Sequence, residues 1–136
     1  MHIVKLCVGA DKVDDLVDWQ NRLMRSGNYP YHLTRMMPKR AEEVLLGGSI
    51  YWVIKRAIRV RQKIIAINEV RDEEGKRMCE LVFDPELHRT HAQPKRPFQG
   101  WRYLKPEAAP SDLAKGEKVV DIPLDLDFAL KKALVW

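Results

Sequence analysis

The sequence predicts one mixed α+β domain over residues 1–136. It has a small curved sheet or β-barrel, an N-terminal helix, a short inserted helix and a C-terminal helix. Three observations lead there. Residues 49–83 carry strand periodicity over most of their length and are rich in β-branched and aromatic side chains. One segment of helical period precedes them, and a second, shorter one is inserted before the long strand region. The 136 residues, 46% of them apolar, suffice for a single core of common domain size and are too few for two.

Residues 2–8 alternate as a first strand. Asp11 is placed to accept from the free N–H groups of a helix's first turn. Val13, Leu16, Val17, Gln20, Leu23 and Met24 follow near helical spacing, with Gly27 as the stop. After a turn at 28–30, residues 31–37 read as a strand closed by Pro38. That proline suits the first turn of a short helix over 39–46, with Ala41, Val44 and Leu45 facing inward and Gly47 and Gly48 ending it. From Ser49 strand spacing takes over. Ile58, Val60, Ile64 and Ala66 alternate with Arg59, Arg61 and Lys63, giving one apolar face and one basic face. A hairpin loop at 72–75 returns the chain along 77–83, and Asp84-Pro85 ends that strand. A last strand is expected over 98–104, where Gly100 permits a bulge or the close approach of a ligand. A helix is expected over 123–134.

The formal net charge is +5, and the charge is unevenly distributed. Asp11, Asp14, Asp15 and Asp18 make the first helix acidic, so the basic surface has to come from the middle of the chain. Residues 88–105, HRTHAQPKRPFQGWRYLK, hold five Lys or Arg, two His and three aromatic residues without one carboxylate. Lys55, Arg56, Arg59, Arg61 and Lys63 form a second basic run. Cations interleaved with rings suit phosphate oxygens and stacked bases, so the expected partner is RNA or a nucleotide. Two cysteines in apolar surroundings, Cys7 and Cys79, read as reduced thiols of a cytoplasmic protein rather than a disulfide framework. No apolar run approaches the roughly 18–20 residues of a membrane helix, and no membrane partner is expected.

The residues expected to bind nucleic acid are Arg35, Lys39, Trp52, Arg59, Arg61, Arg96, Trp101 and Arg102. Arg35 and Lys39 flank the entry of the short helix, where unpaired N–H groups favour an anion. Tyr51 and Trp52 point to opposite faces of one strand, so one is core and the other is open to a ligand; Trp52 is the larger stacking platform. Trp101 and Tyr103 share a face opposite Arg102. For Trp101, base stacking and core packing are equally good readings.

The segments MPKRAEEVLLGGSIYWV at 37–53 and RPFQGWRYL at 96–104, with DPELHRT between them, resemble an uncharacterised alphaproteobacterial family, the domain of unknown function numbered 1489. That resemblance spans nearly the whole chain and implies no established activity. The order of elements around PKRAEE, SIYWVIK and GWRYL looks more remotely like the small RNA- and base-binding barrels of the PUA, ASCH and EVE groups. Some ASCH-like barrels are amidohydrolases acting on acylated nucleosides through a lysine, a threonine and a glutamate. The comparable set here is Lys39, Thr34 and Glu69, with Thr34 preceding the lysine instead of following it.

Asp84, His88 and His91 lack helical i, i+4 spacing and a nearby cysteine, so they are read as exposed polar residues and not a zinc site. Gly47 and Gly48 are not followed by the lysine and hydroxyl of a phosphate loop, and no nucleophile elbow is present. No cofactor or metal is expected. The leading expectation is a non-catalytic RNA- or nucleotide-binding domain. The alternatives are the nucleoside-modifying amidohydrolase and a protein-interaction adaptor using Trp52, Trp101 and Trp136.

Overall fold

The computed structural model describes residues 1–114. In chain order these form β1 (His2–Leu6), α1 (Val13–Met24), β2 (Tyr31–Thr34), α2 (Ala41–Leu45), β3 (Ser49–Ile54), β4 (Ala57–Arg71), β5 (Arg77–Pro94), β6 (Trp101–Leu104) and a single 3-10 turn at Pro106–Ala108. The fold is α+β. Six strands form one mixed sheet in the order β2-β5-β4-β3-β1-β6, in which β1 and β3 are parallel and every other pair is antiparallel. The sheet is open, so of the two expected forms it is the curved sheet and not a closed barrel. The helix expected over 123–134 lies outside the described residues.

Helix α1 buries Val13, Leu16 and Gln20 at i, i+3 and i+7. Its N-terminus is not capped by Asp11 as the sequence suggested. Asp15 in the first turn reaches back instead, its Oδ2 accepting from the backbone N–H of Asp11 (2.9 Å) and of Lys12 (3.2 Å). A carboxylate at N3 that reaches back to the N-cap backbone fixes the chain's entry into the helix and also meets the positive helix end. Its bond from the Asp11 N–H holds the Asp15 carboxyl below the usual range.

Two features of the long hairpin differ from expectation. Residues 55–56 form a two-residue turn between β3 and β4, although neither is Gly, Asn or Asp. Both Lys55 (φ 52°) and Arg56 (φ 65°) take the positive φ that such a turn requires. Arg59 lies over this turn and donates from Nε to Ile54 O (2.7 Å) and from Nη2 to Lys55 O (3.1 Å). Asp84-Pro85 does not end β5 either. The ladder pairs Ile64 with Phe83 and Gln62 with Leu87, so 84–86 bulge outward and pairing resumes. The Asp84 carbonyl is satisfied by the Gln62 side chain (2.8 Å).

Bulges at three places on β4 fold the sheet over on itself. His32 pairs with Leu81 and so lies level with Ile67 of β4, whereas Trp52 lies level with Val60. In a flat sheet those rows, seven residues apart, would be separated by about 23 Å along the strand. The His32 and Trp52 rings are in fact 6.0 Å apart. The enclosed face holds Ile3, Leu16, Val44, Ile50, Trp52 and Phe83 among others, while a smaller cluster of Val4, Tyr51, Val53, Ile58 and Leu104 fills the outer face. Phe98 and Ala109 cover the outer cluster. The segment after β2 reaches across to the opposite edge, where Met36 O accepts from Trp101 Nε1 (2.9 Å) and the Tyr103 hydroxyl accepts from Arg40 N (2.9 Å).

Candidate nucleic-acid interface

The residues named from the sequence fall into three structural groups. Arg59 and Arg61 are committed to the fold. Arg59 is 9% exposed over the β3–β4 turn. Arg61 makes a bidentate pair with Asp112 (2.7 and 2.6 Å) and donates to Ser49 Oγ (3.0 Å). That pair fastens the segment around Asp112 to β4, while the bonds His91 N to Ser111 O and Leu113 N to Arg89 O, both 2.9 Å, fasten it to β5. The Arg61 guanidinium, donating to Asp112, holds that carboxyl below its usual range.

Trp52 and Trp101 belong to the core, at 1% and 7% exposure. Trp101 lies edge-on to Tyr103, 4.9 Å between centroids, with its indole N–H spent on Met36 O. Trp52 donates to Gln62 Oε1 (3.3 Å) and contributes to the lining of a crevice at the carboxyl end of β1.

Arg35, Lys39, Arg96 and Arg102 are exposed. Of these, Arg96 follows the end of β5, near the β3–β4 turn, and Arg102 lies on the edge strand β6, level through Val4 with Tyr51, four residues before Lys55. Lys95 N donates to Arg56 O (2.9 Å), joining the end of β5 to that turn. The Phe98 ring is half-buried and in contact with two cations, with Arg102 5.3 Å and Lys95 6.0 Å from its centroid. Lys95 and Arg102 thus meet at Phe98, with Lys55 and Arg56 on the adjoining turn, and none of the four is paired with a described carboxylate. Lys55, Arg56 and Lys95 escaped the sequence-based choice because their placement depends on the turn and on the β5 extension, neither of which shows in the alternation pattern.

Thr34 and Glu69 sit on either side of Cys79 in one row across β2, β5 and β4. Glu69 is ion-paired with Arg77, and Thr34 is buried. Lys39 is exposed in the segment between β2 and α2.

A crevice of about 610 Å³ opens at the carboxyl end of β1, between loop 7–10, α1, β2 and β3. The rings of Trp19, His32 and Trp52 stand mutually edge-to-face, 5.9–6.1 Å apart. Burial and, behind it, the charge of Lys5 push the His32 imidazole down to about 4, so at neutral pH it is uncharged. Lys5 points to the enclosed face between its cross-strand neighbours Trp52 and Trp101, at 7% exposure and without a carboxylate partner. Burial lowers its own pKa. Burial likewise raises the Cys7 thiol to about 11, leaving it protonated and unreactive.

Among the described residues no three His, Cys, Asp or Glu side chains gather as metal ligands, and no helix is long and apolar enough to cross a membrane. No curated protein and no solved structure matches the chain. The model of one family, described as protein of unknown function (DUF1489), matches residues 3–136.

Proposed function

The chain belongs to the DUF1489 family, and from its geometry we propose that it binds single-stranded RNA along the cationic edge at the β3–β4 turn. One observation carries this reading. Lys95 and Arg102 lie against the half-buried Phe98 ring, Lys55 and Arg56 sit on the turn that the Lys95 N to Arg56 O bond joins to it, and none of the four is neutralised by a described carboxylate. Cations spaced around an aromatic face supply what a single strand needs, phosphate contacts and a stacking platform that accepts any base. The positive φ of Lys55 and Arg56 supports the same reading. Non-glycine residues in that region cost about 1–2 kcal/mol each, a strain that persists where the side chains are needed in place.

The test is fluorescence anisotropy with a labelled single-stranded RNA across a salt series. Four phosphate contacts predict a log–log slope near −3, so affinity should fall roughly fiftyfold between 50 and 200 mM salt. Lys55→Glu with Arg56→Glu should weaken binding at low salt and flatten the slope by about 1.4. A response independent of salt, or one untouched by the double variant, would overturn the proposal.

A further inference from the structure

We propose that the crevice at the carboxyl end of β1 receives one flat heteroaromatic ring with hydrogen-bonding groups on its edge, the chemistry of a nucleobase. Only the origin of the ring in RNA rests on the function proposed above. The volume, about 610 Å³, is that of a small-molecule site. Three rings line it with interplanar angles of 84°, 85° and 90°. A flat ligand stacked on Trp19 or His32 therefore lies perpendicular to the other two rings, the edge-to-face arrangement aromatic quadrupoles favour.

Polar groups converge on the same space. His32 and the Trp19 indole N–H make no hydrogen bond among the described residues. Neither is sealed away, because the one buried side-chain polar atom without a partner among them is Arg89 Nε. The uncharged His32 offers one donor and one acceptor. Asp18 and Arg22, one turn apart on α1, line the mouth without pairing with each other, leaving a carboxylate for an amino group and a guanidinium for a carbonyl or phosphate. Asp15 and Asp18 at the rim disfavour a bare anion, and the unpaired polar groups disfavour a wholly apolar guest.

The crevice also opens at the end of the sheet that carries the cationic edge. Cys7 N at its lip donates to Val53 O (2.9 Å), two residues before Lys55. A strand held along that edge can present a base to the crevice.

The full chain should be titrated with the four nucleosides, with ribose 5-phosphate and with benzene, following the His32 ring and Trp19 indole resonances by NMR. At least one nucleoside should shift both, while ribose 5-phosphate and benzene should not. Trp19→Leu should weaken that nucleoside about tenfold or more, the usual consequence of losing a stacking ring. Asp18→Asn at the exposed mouth, which leaves the core untouched, should change the preference among nucleosides. Nucleoside binding should survive Lys55→Glu with Arg56→Glu. If it survives where the unaltered chain binds no RNA, the ring site stands with a free nucleoside as its source and the RNA reading falls. RNA binding that leaves both resonances in place, with no response to any nucleoside, overturns the crevice and spares the cationic edge. An equal response to benzene overturns the assigned edge chemistry.

Discussion

Gln62 is fully buried on β4 and exchanges two 2.7 Å hydrogen bonds with Gln20 of α1, amide to amide. It also accepts from Trp52 Nε1 and donates to Asp84 O, so one side chain ties α1, β3, β4 and the β5 bulge together. Removing it orphans three buried polar groups at about 1–3 kcal/mol each. Gln62→Leu should therefore destabilise the protein by about 3 kcal/mol in urea unfolding, whereas adding Gln20→Leu should recover part of that loss. A cost below about 1 kcal/mol would show that the network relaxes without Gln62. Gly48 is constrained in the opposite sense, by lack of space. A Cβ there would overlap the carbonyl oxygens of Val44 and Met1, both backbone atoms. Gly48→Ala should consequently unfold the junction of α2 and β3, with a melting temperature lowered by several degrees for each kcal/mol lost.

At the scale of elements, the β3–β4 turn sets stability against binding. Replacing Lys55-Arg56 by Asn-Gly supplies the residues that positive φ favours, and should stabilise the hairpin by about 1–2 kcal/mol. The same change removes two of the four cations of the edge, so RNA affinity should fall as the melting temperature rises. Measuring both on one variant decides the matter, and a protein neither more stable nor weaker in binding would show that the turn stores no strain and holds no phosphate. The turn was not legible in the sequence because hairpins are recognised by Gly, Asn or Asp, and the turn found here uses Arg59 to hold Ile54 O and Lys55 O instead. The Asp84-Pro85 bulge was hidden for a related reason. A proline after an aspartate reads as a strand end unless a partner for the freed carbonyl is known, and that partner, Gln62, is 22 residues away.

For the whole molecule, the half-buried imidazoles predict an acid-side loss of stability well before the carboxylates titrate. His32 falls to about 4 in the folded protein from 6.5, and His2, whose Nδ1 accepts from Ser49 N (3.0 Å), is lowered chiefly by burial as well. Between about pH 6.5 and 4 the unfolded chain binds more protons than the folded one, so stability is full above that window and declines as pH falls through it. His32 alone should account for about 2–3 kcal/mol between pH 7.5 and 4, read from urea midpoints, and His32→Gln should flatten the profile. An unchanged profile in that variant would place the titrating group elsewhere.

Apart from the β3–β4 turn, most of the order of elements was within reach of the sequence because it depends on local pattern: the 3.6-residue spacing of Val13, Leu16 and Gln20, the β-branched and aromatic run of β3, the alternation in β4, and the Asp72 loop that turns β4 into β5. The basic character of residues 88–105 was legible for the same reason, since charge is a property of composition. Which cations remain available was decided by tertiary structure. Alternation places Arg59, Arg61 and Lys63 on a common face, but Arg61 meets Asp112 and Arg59 meets the backbone of a turn. The crevice lay further out of reach. Trp19, His32 and Trp52 come from three elements, and a flat sheet would hold His32 and Trp52 far apart. They meet because bulges on β4 bend the sheet. The bend reflects a balance of register, burial and hydrogen-bond satisfaction over the whole molecule, which no window of neighbouring residues contains.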